Sequence, residues 1–244
     1  MVYYEDAGGG TNVSDMDGRI MKLLCRFVDL LLLASALLSG QITNEPFTFH
    51  NVVGSQVVLK GRHAVRLVAK PGAEAAGDHL AIAGPAGTAF SNGTIEVDIA
   101  GEPAPGAAGG ARGFVGVAFR VQPDRKTYDC LYIRPTNGRA EDQERRNHSV
   151  QYISHPQFTW SRLRQETPSR YESYADMQPG EWVHLKIEVN GEKARLYVNN
   201  SAQPVLIVND VKTGATAQGA VAIWLEGSTI AHFANLKIRP SPSR

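Results

Sequence analysis

A strict alternation of apolar and polar residues in the C-terminal third constrains the fold more than any other feature of the sequence. Every second side chain is apolar along residues 182–189, and the pattern resumes along residues 194–198. A period of two is typical of a strand with one buried face. Because Asn190-Gly191 separates the two runs, and Asn-Gly favours the tight turns that join antiparallel strands, the sequence predicts a β-hairpin here.

The same period recurs along much of the chain. Residues 94–99, 114–121, 128–134, 219–225 and 230–238 all read as short strands, and Gly, Pro and Asn punctuate the intervals between them. Helical periodicity is scarce. Many short strands separated by turns predict an all-β fold, either an antiparallel β-sandwich or a barrel. Since sandwiches of about 200 residues are commonly single domains, we expect one β-sandwich domain over residues 41–240.

The N-terminal part has the composition of an export signal. Lys22 and Arg26 precede an apolar run at residues 30–38, and Ser39-Gly40 supply small residues for cleavage. This order predicts a signal peptide over residues 21–40, cleaved between positions 36 and 41. Residues 1–20 are then a mis-assigned start or a disordered upstream segment. The alternative is a disordered tail ahead of a membrane anchor. The favoured interpretation predicts a secreted or periplasmic protein without stable membrane insertion after cleavage.

The net charge argues against a nucleic-acid partner, and the cysteine content argues against an intramolecular disulfide. The formal net charge is +1, and charged residues make up 20% of the chain. No global field would attract nucleic acid, so we expect no nucleic-acid partner. The only cysteines are Cys25 and Cys130. Removal of the signal peptide would leave Cys130 without an intramolecular partner, and stability would then come from the hydrophobic core.

A long polar segment, residues 136–178, interrupts the rhythm of strands. It is dense in Arg, His, Tyr and Trp, and includes Phe158, Trp160 and Tyr171. Long segments of this kind in compact domains are commonly functional or disordered, and this one is too aromatic for disorder. We expect it to be structured, with residues 149–154 pairing as a strand, and to lie near a binding site.

The layout of the chain resembles a known superfamily. The resemblance rests on a strand with an Arg near its end (GFVGVAFRV), a Gly-Glu-Trp entry to the hairpin, and a final Phe-x-Asn-Leu strand. These segments are similar to the concanavalin A-like lectin/glucanase superfamily. More narrowly, they resemble laminin-G-like domains of secreted bacterial proteins and the 3-keto-disaccharide hydrolase domain. The resemblance spans residues 47–239 and implies a jelly-roll-like antiparallel β-sandwich that handles carbohydrate.

Retaining endoglucanases of that superfamily carry Glu, Asp and Glu at alternate positions of one strand. Here Glu102 follows Glu96 and Asp98 at six positions after the first glutamate. Six steps at about 3.3 Å per residue span about 20 Å, whereas a retaining pair of carboxyl groups needs about 5–5.5 Å. We therefore expect Glu96 and Asp98 to lie on the solvent face of an ordinary strand.

The spacing of the possible ligand residues gives little support for a metal or cofactor site. His148 and His155 are seven positions apart, which puts them on opposite faces of a strand. Neither has a cysteine or an acidic residue beside it at ligand spacing. We predict no metal and no cofactor.

Three functions stay open: a carbohydrate-recognising domain, a glycoside hydrolase like the 3-keto-disaccharide hydrolases, and a laminin-G-like adhesion module. A general acid or base for hydrolysis would come from six residues, among which no catalytic pair is assigned: Glu96, Asp98, Glu172, Asp176, His148 and His155. The sequence identifies neither the glycan nor the oligomeric state.

A sugar site needs aromatic platforms beside a few placed polar groups. The candidate ligand-binding residues that meet this need are Arg120, Tyr132, Arg134, Arg146, His148, Gln151, Trp160, Tyr171 and Glu172. Arg134 ends a strand on the face opposite Leu131 and Ile133, so its side chain is expected to leave the core. We expect Arg134, His148, Gln151 and Trp160 to converge on one groove of the sandwich.

Overall fold

The computed structural model describes residue 1, residues 47–84 and residues 89–241. The predicted upstream segment and signal peptide lie outside the described residues. In the part of the chain that is described, no helix is long and apolar enough to cross a membrane.

Strands dominate the described residues, as the alternating pattern predicts. They are β1 (Thr48–His50), β2 (Val52–Leu59), β3 (Arg62–Ala69), β4 (His79–Ile82), β5 (Gly93–Pro103), β6 (Val115–Val121), β7 (Tyr128–Ile133), β8 (Val150–His155), β9 (Glu172–Ser173), β10 (Val183–Asn190), β11 (Lys193–Val198), β12 (Leu206–Val208), β13 (Ala220–Leu225) and β14 (Thr229–Pro240). Two short α-helices, α1 (Gln143–Asn147) and α2 (Trp160–Glu166), and a 3-10 turn (Pro135–Asn137) complete the secondary structure.

The strands form two antiparallel sheets of seven strands each. The first sheet has the order β1-β4-β13-β6-β7-β8-β9, and the second has the order β12-β11-β10-β5-β14-β3-β2. In each sheet three of the six neighbouring pairs join strands that are not consecutive in sequence, which is typical of a jelly-roll-like sandwich. The predicted all-β antiparallel sandwich is therefore confirmed.

The predicted hairpin is also present. Strands β10 and β11 pair in register, with Asn190 opposite Lys193. Gly191 in the turn has φ of 59°, a left-handed conformation that glycine adopts without strain. The inward residues of both strands are buried, as the alternation predicts.

A close approach between the sheets shows which face of the first sheet points outward. A Cβ atom on Gly101 of β5 would lie 2.6 Å from Cγ1 of Val115 in β6, so the Val115 side chain faces the second sheet. Val115 lies opposite Ile133 in β7. Because side chains alternate along a strand, Tyr132 lies on the opposite face, which we call the outer face of the first sheet.

The polar segment 136–178 is structured, as expected. It contains α1, β8, α2 and β9, and β8 begins one residue later than predicted. The sequence does not predict the two helices because one or two turns are too short to show a helical period. Local capping explains them: the side chains of Asp142 and Thr159 accept hydrogen bonds from the backbone N–H groups of Arg145 and Arg162.

Candidate functional site

A row of side chains crosses the outer face of the first sheet. Strand register places Tyr132 of β7 opposite Gln151 of β8, and Gln151 opposite Glu172 of β9. On the other side of Tyr132, Gly116 leaves room for the ring of Trp224 from β13. The Tyr132 and Trp224 ring centroids are 4.9 Å apart. An aromatic pair therefore borders a polar pair on this face.

Arg134, just beyond β7, connects the row. Its Nη1 donates to the backbone oxygen of His148 at 2.8 Å and to Oε1 of Glu172 at 3.1 Å. Its Nη2 donates to the Tyr132 hydroxyl at 2.9 Å and to Oε1 of Gln151 at 2.7 Å. These four bonds use every hydrogen on the two terminal nitrogens. The buried Arg134 guanidinium therefore positions its neighbours and has no terminal N–H left for a ligand.

Glu172 is the charged centre of the cluster. Arg164 of α2 forms a bidentate pair with its carboxylate, donating from Nε to Oε2 at 2.9 Å and from Nη2 to Oε1. The Glu172 side chain is 2% exposed. Burial raises the pKa of this carboxyl, but the hydrogen bonds from Arg164 and Arg134 outweigh burial and hold the pKa below its ordinary value. The carboxylate is therefore ionised at neutral pH.

His148 lies at the edge of the cluster, partly open to solvent. Its Nε2 is 3.6 Å from Oε2 of Glu172. Burial lowers the pKa of the imidazole, and the charges of Arg164 and Arg134 lower it further, against the opposing pull of Glu172. The imidazole is therefore neutral at pH 7 and able to accept a proton.

The rim of the site is aromatic. Trp160, the first residue of α2, is 49% exposed. The guanidinium of Arg164, one turn later, lies 5.0 Å from the indole centroid. Arg164 therefore connects a buried carboxylate to an exposed aromatic ring. Such a boundary between apolar and polar groups suits a ligand that has both kinds of surface.

Arg120 does not belong to this cluster. The side chain is fully buried, with φ of 55° at its backbone. Its three nitrogens donate to the backbone oxygens of Ser91, Gly191 and Gly214, and to the hydroxyl of Thr213. The guanidinium holds three loops together at one end of the sandwich. We leave it out of the proposed ligand site, contrary to the sequence prediction.

Tyr171 also lies apart from the cluster. As the neighbour of Glu172 it points to the opposite side, where it packs on Tyr152 with ring centroids 5.6 Å apart. Its hydroxyl donates to Oδ2 of Asp210 at 2.7 Å. Arg146 lies further out on α1, with its guanidinium 5.4 Å from the ring of Tyr174. The side-chain hydrogen bonds that Glu172 accepts come from Arg134 and Arg164, and not from Tyr171 or Arg146.

The structure also brings in residues that sequence reasoning did not include. Arg164 lies in the polar segment 136–178 but is not among the candidate residues, and Trp224 lies in a predicted strand without an assigned role. The signal for Arg164 is its spacing of four from Trp160, which has meaning only once the helix is known. The partnership of Trp224 with Tyr132 depends on strand order, which the sequence does not display.

The acidic strand residues behave as predicted. Glu96 and Asp98 lie on the outer face of the second sheet, remote from Glu172. Asp98 pairs with His184 at 2.8 Å and with Arg62 at 2.7 Å. Glu96 pairs with Arg239 at 2.6 Å. These are ion pairs of an ordinary strand face.

A cavity of about 490 Å³ lies elsewhere, beside β1, β4 and the end of β6. Its lining is mainly apolar and contains one charged side chain, that of Arg125. Without a carboxylate or an exposed aromatic ring in its lining, it offers less to a polar ligand than the Glu172 cluster does.

Comparison with known proteins places the chain in a family. The model of the 3-keto-alpha-glucoside-1,2-lyase-like domain matches residues 77–239, which is more than half of the chain. A search of curated proteins finds no match.

Two solved structures are similar to this chain. The carbohydrate binding module CBM66 from Bacillus subtilis is 16% identical, with a TM-score of 0.53 over 82% of this chain and 96% of that chain. A Bacillus subtilis protein of unknown function with a galectin-like fold is 12% identical, with a TM-score of 0.48 over 79% of this chain and 90% of that chain. At these identities the first comparison shows a shared sandwich fold and nothing about ligands.

Proposed function

Because the chain belongs to the family of 3-keto-alpha-glucoside-1,2-lyase-like domains, we propose that it is a carbohydrate-recognising domain whose sugar site is the Glu172 cluster. One observation carries the proposal. A carboxylate that is 2% exposed is held by two arginines, and one of them, Arg164, also lies 5.0 Å from the ring centroid of the exposed Trp160. An ion pair that only stabilises the fold needs no exposed aromatic ring beside it, whereas a sugar site needs both the ring and the polar groups.

The chemistry of a sugar fits the groups present. A pyranose ring has an apolar face of C–H groups and an edge of hydroxyls. The indole of Trp160 offers a flat apolar surface, Arg164 beside it offers donors, and His148 beside Glu172 offers an acceptor. Glu172 and Arg134 hold these groups in place. The name of the family points to an α-glucoside as the ligand class, and the groups of the Glu172 cluster are compatible with it.

Isothermal titration with methyl α-glucoside and α-linked glucose disaccharides tests the proposal. We expect binding by the parent protein and a loss of about tenfold or more in Trp160→Ala, since tenfold corresponds to about 1.4 kcal/mol. The matched control is Phe49→Ala, which removes another exposed aromatic ring, 43% exposed, from β1. Equal losses in both variants, or no binding by the parent, would contradict the proposed site.

A second candidate function is cleavage of the glycosidic bond, and the neutral imidazole of His148 favours it. A ketone at C3 of a glucoside acidifies the hydrogen on C2. A neutral imidazole can take that proton, and the C1–O bond then breaks as the C1=C2 double bond forms. The departing oxygen takes up a proton, so no oxidant or reductant is consumed. The neutral state of His148 beside the Arg164 and Glu172 pair suits this role of general base.

Product analysis with 3-keto-trehalose separates cleavage by elimination from cleavage by water. Elimination gives a conjugated enone with ultraviolet absorbance, whereas a hydrolase gives the free 3-keto sugar without it. We expect His148→Gln to lose the activity. The control is His184→Gln, which alters another histidine–carboxylate pair, on the second sheet. If His148→Gln retains parental turnover, His148 is not the base.

A further inference from the structure

Each sheet of the sandwich ends in two edge strands, and three of the four are short. Strands β1, β9 and β12 have two or three residues each, whereas β2, at one edge of the second sheet, has eight. Monomeric proteins commonly protect a long edge strand with charged residues, proline or a bulge, because its unpaired backbone groups attract other strands. The sequence of β2, VVGSQVVL, has no charge and no proline, and its pairing with β3 is continuous. β2 is therefore an unprotected edge.

The turn after β2 shows which of its backbone groups point away from β3. Lys60 and Gly61 form this turn, with φ of 50° and 76°. It connects Leu59 to Arg62, which lie opposite each other. Residues that flank such a two-residue turn form a hydrogen-bonded pair, and hydrogen-bonded pairs then alternate along the two strands. Leu59 therefore directs its N–H and C=O groups toward β3. Four residues direct theirs to the free side of β2: Val52, Gly54, Gln56 and Val58.

The free side of β2 is accessible, and apolar side chains are exposed around it. Among residues 47–84 and 89–241, no other strand pairs with this side. Six large apolar side chains in those ranges are exposed, and three of them lie on or beside β2: Phe49, Val53 and Val58. The Phe49 ring of β1 lies so close to Gly54 that a Cβ atom there would collide with it. Exposed apolar groups concentrated at one edge are typical of a surface that meets another protein.

A second copy of β2 fits this edge without charge repulsion. An antiparallel pairing centred on Ser55 gives a backbone partner to all four residues whose groups point outward. In this register Val53 lies opposite Val57 of the second copy, so apolar side chains meet. Arg66 of β3 lies opposite Ser55, and three strand spacings of about 4.8 Å each therefore separate the two Arg66 residues. This separation exceeds the screening length of about 8 Å at physiological salt.

We propose that two copies of this chain pair through β2, antiparallel about Ser55, and form a symmetric dimer. Their second sheets then join into one sheet, with seven strands from each copy. A second copy is the favoured occupant because two-fold homodimers are the commonest assemblies and an uncharged strand meets itself without repulsion. The Phe49 contact puts β1 beside β2, whereas β9, which carries Glu172, ends the first sheet at the opposite edge. The dimer therefore does not depend on the proposed sugar site.

Sedimentation velocity over the micromolar range tests the pairing. The parent should shift from monomer to dimer as its concentration rises. Ser55→Lys and Ser55→Glu each put like charges directly opposite across the two-fold axis, which destabilises a strand pair, and each should weaken the dimer by about tenfold or more. An equimolar mixture of the two variants should restore dimers, because opposite charges then face each other. The matched control is Ile207→Lys, at a 46% exposed position of the short edge strand β12, which should leave the dimer unchanged.

Hydrogen exchange of the parent gives a second readout that needs no variant. The backbone N–H groups of Gly54, Gln56 and Val58 should exchange more slowly at a concentration where the protein is dimeric than at one where it is monomeric. A parent that stays monomeric throughout the micromolar range, or equal exchange of these groups in monomer and dimer, overturns the inference. The inference is also wrong if both charged variants dimerise like the parent, or if their mixture stays monomeric. The sugar affinity of a single copy is measured separately, so either proposal can fail alone.

Discussion

The buried Arg134 should be a stability determinant, and its replacement by methionine gives a measurable test. Arg134→Met keeps a side chain of similar length but removes four hydrogen bonds and one ion pair. Removal of one partner from a buried ion pair typically costs about 3–5 kcal/mol, because the remaining charge and acceptors lose their compensation. Since Arg164 still pairs with Glu172, we expect the lower end, about 3 kcal/mol.

Urea unfolding followed by far-ultraviolet circular dichroism measures the effect as a shift of the midpoint at constant slope. The matched control is Arg139→Met, which also breaks an arginine–carboxylate pair, in this case a bidentate one. Its partner is Asp176, with Nε to Oδ1 at 2.7 Å, but both side chains are more than half exposed. The control should lose less than about 1 kcal/mol, as exposed pairs do.

A double-mutant cycle isolates the contribution of the ion pair. Combined with Glu172→Gln, Arg134→Met should show a coupling energy of about 1–3 kcal/mol, because the two side chains share one network. If Arg134→Met costs no more than Arg139→Met, the hydrogen bonds of Arg134 do not support the fold. The role of the guanidinium as a positioning group would then be refuted.

Three further predictions concern Glu172, Arg120 and the N-terminal segment. The pKa of the Glu172 carboxyl is lowered in the folded state, so its stabilising effect is complete above the ordinary value of 4.5 and is lost as pH falls through the lower folded value. The stability advantage of the parent over Glu172→Gln should therefore shrink between pH 7 and about pH 3. An advantage that stays constant over that range in urea titrations would refute this prediction. Arg120→Met should lower the free energy of unfolding by about 3 kcal/mol without changing the sugar affinity of the folded protein, and a selective loss of binding in titrations would return Arg120 to the site. N-terminal sequencing of the protein recovered from its native host should find a mature start between positions 37 and 42, and an intact Met1 would contradict the proposed export.

Strand patterns in the sequence predict the fold well because burial on one face has a local signature. The run from 182 to 198 shows both strands and the turn without knowledge of their neighbours. The position of Glu96 and Asp98 on a solvent face is predictable for the same reason.

The site is only partly predictable because it depends on which strands are neighbours. Arg134, Gln151 and Glu172 are 38 residues apart at most, and the sequence correctly groups them in one polar segment and its flanks. It does not show that neighbouring groups use every hydrogen on the two terminal nitrogens of Arg134. Arg120 has the same residue type and also follows an apolar run, yet three loop carbonyls distant in sequence bury it.

A crystal structure with a bound α-glucoside tests the central claim most directly. For crystals soaked in trehalose, we predict electron density for a sugar ring stacked on Trp160, with hydroxyls in hydrogen-bond reach of His148 or Arg164. Ordered sugar in the cavity beside Arg125, or on the outer face of the second sheet around His184, with none at the Glu172 cluster, would contradict the account.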